Sequence, residues 1–255
     1  MVRGCCDCNT PFFLKIIVGL LTYRLSCVII YPDGRKKNIP SERYLFMTDN
    51  NKTNLKEISL KRKIITSIAI LLFGIFMGAG SKALDESGLN ELPLIMQKLD
   101  ITNFLGRFAI WIFIGACISI YSSSVKRAAL NVFLFFIGMV SSYYIYCVFV
   151  AGFFPLNYAL VWFGITFVSP LMGAVCHYAK GEGKTSIGIS GLIIGAILSQ
   201  TVLFFQGIRV THLTEVIMLI ATLFILRRKP KEFAAEIGLS IPVALLIQLV
   251  LPYWG

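Results

Sequence analysis

Two apolar runs, residues 128–154 and 158–179, contain no Asp, Glu, Lys or Arg and are separated only by Pro155, Leu156 and Asn157. Each exceeds the roughly 18 residues at which an apolar stretch reads as a membrane-spanning helix rather than a buried core helix. Inside lipid no water satisfies backbone N–H and C=O groups, so a spanning stretch of this kind must be helical. The pair specifies a transmembrane hairpin, and the remaining chain adds apolar runs on both sides of it. Composition agrees. Of 255 residues, 56% are hydrophobic and 15% charged, against about 25% charged in an average soluble domain. The expected fold is all-α, an integral membrane bundle of seven transmembrane helices over 64–81, 103–124, 128–152, 158–179, 187–206, 213–226 and 233–252. Pro242 is expected to kink the last.

The net charge of +11 invites a nucleic-acid reading, but the cations lie in short clusters between apolar runs, the pattern of cytoplasmic loops. One side of the seven spans receives Lys52, Lys56, Lys61, Arg62, Lys63, Lys126, Arg127, Lys180, Lys184, Arg227, Arg228, Lys229 and Lys231. The other receives Lys82, Lys98, Arg107 and Arg209. Thirteen against four, alternating span by span, places the N-terminal side in the cytoplasm and the C-terminus outside. The expected location is the cell membrane, and the expected partner is the lipid bilayer, not nucleic acid.

Residues 1–46 read differently. The run 11–31 is apolar but holds Lys15 and Arg24, each of which costs about 2.5–3.5 kcal/mol at a span centre. Met47 opens a polar, lysine-bearing lead, 47–63, directly before a clean span. Residues 1–46 are therefore expected to be an atypical, dispensable extension, with Met47 as the natural start. If Met1 is the start, Cys5, Cys6 and Cys8 could bind a metal or carry acyl chains. Cys117, Cys147 and Cys176 fall in spans, where a thiol acts as a small apolar group. No disulfide framework is implied.

Catalytic signatures are missing. Lys180-Gly181-Glu182-Gly183-Lys184-Thr185-Ser186 resembles the end of a phosphate-binding loop, but Tyr178 stands where the motif needs Gly and no strand precedes it. His212 and Glu215 are three apart, yet the only other histidine, His177, belongs to the opposite membrane face. No metal, cofactor or enzymatic activity is expected.

The polar groups inside spans gather toward the outer half. Arg107 and Glu215 each lie about one helical turn inside a span, and Tyr143, Tyr144 and Tyr146 fall in the outer part of the third. Gln200, Gln206 and Gln248 lie at similar depth, and Lys82 and Asp85 suit a helix-end ion pair. An embedded ionisable group marks a function unless a partner explains it. Two readings stand side by side here. In one, Arg107, Tyr143, Tyr144 and Glu215 line a substrate pocket, with Arg107 meeting a small anionic ligand. In the other, Arg107 and Glu215 pair structurally and the tyrosines mark an interface. Glu236 reads as a carboxylate at a helix N-terminus near the cytoplasmic surface. The longest outer connection, 82–101, is acidic and carries a short helix over 92–99. Gly74 and Gly78, and the ridge Gly188, Gly191, Gly195, Ser199, serve either packing within the bundle or docking of a membrane partner or second copy.

The segments Gly78-Ala79-Gly80-Ser81-Lys82-Ala83-Leu84-Asp85, Gly106-Arg107-Phe108-Ala109-Ile110-Trp111 and Met139-Val140-Ser141-Ser142-Tyr143-Tyr144 resemble those of small polytopic membrane proteins of Gram-positive, clostridia-like bacteria with no known activity. In size, basic loops and a Gly-rich first span, the chain is also similar to the substrate-binding membrane subunits of energy-coupling-factor vitamin importers. Those have six spans with both ends inside, so a seventh span is a departure. The expected function is a small-molecule transporter, or the membrane-embedded substrate-binding subunit of one, with its site open to the outside. The alternative is a non-catalytic membrane interaction protein, such as an immunity, sensor or assembly factor.

Overall fold

A computed structural model describes residues 41–87, 93–205 and 208–250, with side chains from residue 60 onward. The expectations for Cys5, Cys6, Cys8, most of the extension 1–46, Gln206 and the C-terminus lie outside the described residues. The chain divides into two units, Met1–Ser59 and Leu60–Gly255. In the first, the described part is the start of helix α1. All else below concerns the second.

Nine α-helices occur among the described residues: α1 (Ser41–Glu86), α2 (Leu94–Lys98), α3 (Ile101–Gly106), α4 (Phe108–Tyr121), α5 (Val125–Tyr146), α6 (Leu156–Cys176), α7 (Lys184–Thr201), α8 (Leu213–Leu226) and α9 (Pro230–Val250). A wide turn, Cys147–Ala151, extends α5, and a tight one, His177–Lys180, extends α6. Four segments are long and apolar enough to cross a membrane: Leu60–Glu86, Val125–Ala151, Leu156–Lys180 and Pro230–Val250. The chain is a helical membrane protein. Its large exposed side chains fit lipid contact: Phe149 is 82% exposed and Phe76 71%.

Lipid tails are as apolar as leucine, so helices in a bilayer associate through close packing and interhelical hydrogen bonds. Both are visible between α1 and α5. A Cβ on Gly74 or Gly78 would run into the backbone carbonyls of Phe135 or Met139, and one on Gly138 would stand 2.8 Å from the Leu71 carbonyl oxygen. The same interface carries Ser67 Oγ donating to Asn131 Oδ1 at 2.7 Å and Ser142 Oγ donating to the Ile75 carbonyl at 2.9 Å. Helices α7 and α9 meet in the same way: a Cβ on Gly195 would come within 2.6 Å of Val243 Cγ1, and one on Gly191 within 2.8 Å of Leu239 Cδ2. Gly74, Gly78, Gly191 and Gly195 are thus used inside the bundle, not kept for an outside partner.

Helix α7 packs against α4, α8 and α9, and its buried face carries Ser186, Ser190, Ser199 and Thr201. At its C-terminus Gln248 Nε2, from α9, donates to the Ser199 and Val202 carbonyls at 2.6 Å each. These are the carbonyls a helix end leaves without an intrahelical partner. A two-residue antiparallel ladder, β1 (Val202–Leu203) with β2 (Arg209–Val210), then leads back toward α8. Pro170 inside α6 removes the amide that would bond the Thr166 carbonyl, and Ser169 Oγ donates to that carbonyl instead at 2.8 Å.

Three expectations change in detail. The expected span 103–124 is broken: Arg107 is extended at φ −90°, ψ 155° and separates α3 from α4. The short helix of the outer connection is Leu94–Lys98, with Leu94 73% exposed. Glu236 is not at a surface but wholly buried in the second turn of α9. The pull on it is a cation from the α8–α9 connection, described next.

Candidate functional site

Arginine–carboxylate pairs lie at both ends of α8. At its start Glu215 sits in the first turn, after the N-cap His212, where the helix dipole favours a negative charge. Its carboxylate is fully buried and accepts from Arg107 Nη1 at 2.6 Å and from Thr214 Oγ1 at 2.9 Å. The second Arg107 terminal nitrogen, Nη2, reaches Asp100 Oδ2 at 2.5 Å. Asp100 caps α3 in a left-handed conformation, φ 50°, and also accepts from Asn103 Nδ2 at 2.7 Å. The break at Arg107 therefore lets one guanidinium tie both ends of α3 to α8. His212 Nε2 lies 3.3 Å from Arg107 Nη2, and the ring stands 3.9 Å from each of the two carboxylates.

Two carboxylates around one guanidinium leave this arginine's charge fully engaged. A buried pair of this sort contributes little net stability against a well-packed apolar substitute, but removing one partner strands the other and costs about 3–5 kcal/mol. The arrangement is a latch: it holds α3 in place against α8.

Beside the latch, α3 forms one wall of a cleft of about 290 Å³. Thr102, Leu105 and Gly106 come from α3, Trp111 from α4, Met139, Val140, Tyr143 and Tyr144 from α5, Tyr158 and Trp162 from α6, and Ser81 and Asp85 from α1. Tyr158 and Trp162 share a helix face by their four-residue spacing. Trp162 stacks on Phe108 with centroids 5.0 Å apart, and Tyr144 packs edge-on to Tyr143 at 5.2 Å. Trp111 Nε1 donates to the Leu105 carbonyl at 3.0 Å, which fixes the indole against α3. The Tyr144 hydroxyl and Thr102 Oγ1 are buried without a hydrogen-bond partner among the described residues. An unpaired buried hydroxyl costs about 1–3 kcal/mol, so the cleft wall carries hydrogen-bonding capacity that this fold leaves unused.

Lys82 lies at the rim. Its ammonium meets Asp85 at 2.8 Å and Glu86 at 2.6 Å and sits 5.9 Å over the Tyr143 ring. The helix-end pair expected from the sequence is present, with Glu86 added.

At the other end of α8, Arg228 Nε meets Glu236 Oε1 at 2.5 Å, and Arg228 Nη1 donates to the Gly181 carbonyl at 2.7 Å. Its other terminal nitrogen contacts the Ala179 carbonyl and Ser186 Oγ. Ser186 and Ser190 hydroxyls close the ring on the Ala179 carbonyl at 2.8 Å each. The Gly-rich turn that resembled a phosphate loop is wrapped around this arginine.

The structure thus brings Arg107 and Glu215 into direct contact and places Tyr143 and Tyr144 in the adjacent cleft, with Gly106 as the link. Sequence reading paired His212 with Glu215 but did not join either His212 or Asp100 to Arg107, and it missed Trp111, Tyr158 and Trp162 in the cleft. The spacing of Tyr158 and Trp162 was the available signal; the reach of Asp100 depends on the break at Arg107, which hydropathy does not reveal. Among the described residues no group of three His, Cys, Asp or Glu side chains is placed to hold a metal ion. No protein-family model, curated protein or solved structure matches the chain.

Proposed function

We propose that this is a multi-pass protein of the cell membrane that binds a small molecule in the aromatic cleft, as a transporter or as the substrate-binding membrane subunit of one. The observation that carries this reading is the cleft itself: aromatic side chains from three helices around a buried Tyr144 hydroxyl that has no partner among the described residues. A few unused polar groups in a mostly apolar concavity are what ligand sites in helical bundles offer.

The topology that goes with it has seven crossings. The four long apolar segments are joined by α4 and α8, apolar helices of 14 residues each, and by α7. A 14-residue helix is about 21 Å long at 1.5 Å per residue, short of a bilayer core of about 30 Å. For α4 the break at Arg107 and the preceding α3 supply added length, and for α8 the two arginine latches flank the apolar stretch. The lysine and arginine asymmetry then puts the cleft on the outside and the Arg228 end in the cytoplasm.

Within this reading Tyr143 and Tyr144 touch the ligand, while Arg107 and Glu215 position the wall. An anionic group at Arg107 would have to displace Asp100 or Glu215. The test is native mass spectrometry of the protein gently extracted from its own membrane. A retained small molecule, alone or with ATPase and scaffold subunits, is the expected result. A bare chain, or one carrying a single unrelated membrane protein, would overturn it in favour of the interaction class.

A further inference from the structure

We infer that the cleft selects a small organic cation, an ammonium group carrying alkyl substituents, over a neutral or anionic ligand. The inference rests on the binding reading above and adds the charge class. Its first ground is the wall. Trp111, Tyr143, Tyr144, Tyr158 and Trp162 all line the cleft, and indole and phenol faces attract cations through their quadrupoles, most effectively where water is excluded. The second is the charge at the site. Among the described residues Asp85 is the one ionisable carboxylate on the wall, and no lysine or arginine lines it. Lys82, beside the cleft, is shared between Asp85 and Glu86, which leaves these three side chains one negative charge in excess. Lys82 itself lies 5.9 Å over the Tyr143 ring and 5.0 Å over Phe153, so these rings already accept a positive charge. The third is Arg107. It is the cation an anionic ligand would need, and Asp100 and Glu215 occupy it.

Size narrows the class. At about 30 Å³ per water, 290 Å³ holds roughly ten waters, which suits a compact headgroup rather than a lipid or peptide. The unpaired Tyr144 hydroxyl can serve a polar substituent on the same ligand.

The experiment is equilibrium dialysis of labelled choline against the full chain in lipid nanodiscs, with two competitors of the same shape: neutral 3,3-dimethylbutan-1-ol and anionic 3,3-dimethylbutanoate. Choline should bind at least about ten-fold more tightly than the neutral isostere, the size of a desolvated cation–aromatic attraction. Trp162→Leu should weaken choline by about ten-fold. Asp85→Asn, at the half-exposed rim, should weaken choline several-fold more than it weakens the neutral isostere, with thermal unfolding confirming that the variant is folded. Equal binding of choline and the isostere overturns the cation proposal and leaves an apolar binding cleft standing. Preference for the anion overturns it and returns the site to Arg107. Binding of none of the three also overturns it; a small molecule retained in native mass spectrometry would then still support the binding reading, and its absence would end that too.

Discussion

Glu215 and Glu236 are both fully buried carboxylates, each held by an arginine at one end of α8. Their surroundings differ. Around Arg228 backbone carbonyls of Ala179 and Gly181 and hydroxyls of Ser186 and Ser190 close on one another, and Glu236, held by its ion pair with Arg228, has no hydrogen-bond partner on Oε2 among the described residues but does not line the cleft. Around Arg107 the ion pair is as tight, yet the neighbouring wall leaves Tyr144 and Thr102 hydroxyls unpaired beside open space. The comparison teaches that a buried ionisable pair does not by itself mark a site. What separates the two ends is unused hydrogen-bonding capacity next to a cavity.

The largest expected effect would break the comparison at its common part. Arg107→Ala and Arg228→Ala should each destabilise the protein by about 3–5 kcal/mol, since each strands a buried glutamate. Arg228, slightly more accessible at 12% of its side chain, should fall at the low end. Thermal unfolding in detergent reads both. Replacing each pair with Met and Leu should restore most of the loss, because an apolar pair of similar volume removes the stranded charge. A double variant no better than the single one would show that Arg107 or Arg228 does more than neutralise its partner.

A smaller effect tests the packing beneath each end. Gly195→Ala should cost about 1–3 kcal/mol by overpacking against Val243, whereas Gly80→Ala, with open space around its Cβ position, should be close to neutral. Equal losses would mean that α7 and α9 are not in contact at Gly195.

The smallest effect sharpens the difference between the ends. Ser190→Ala removes a hydroxyl that donates to the Ala179 carbonyl and should cost about 1 kcal/mol. Tyr144→Phe removes a hydroxyl with no partner and should leave the ligand-free protein as stable or up to about 1 kcal/mol more so. The opposite signs are the point: a loss at Tyr144 equal to that at Ser190 would place an unseen partner on the phenol.

Much of the fold was legible because hydropathy responds to the same constraint that builds it. The charge-free runs at 128–154 and 158–179 became α5 and α6, and 213–226 became α8. The break at Arg107 was not legible. It arises from side chains meeting across the bundle, Asp100 and Glu215, which are seven residues upstream and 108 residues downstream. Glu236 was misread for the same reason: its partner Arg228 looked like one more loop cation. In the sequence, Arg107, Tyr143, Tyr144 and Glu215 were grouped by depth alone. Depth groups residues at one membrane level but does not say which of them touch, so it merged a latch with the cleft beside it.

The most direct test of that separation is native mass spectrometry on the Arg107→Met, Glu215→Leu double variant beside Trp162→Leu. The account predicts that the double variant folds and keeps the small molecule carried by the natural protein, while Trp162→Leu loses it. A folded double variant that emerges bare would put Arg107 in contact with the ligand and contradict the account.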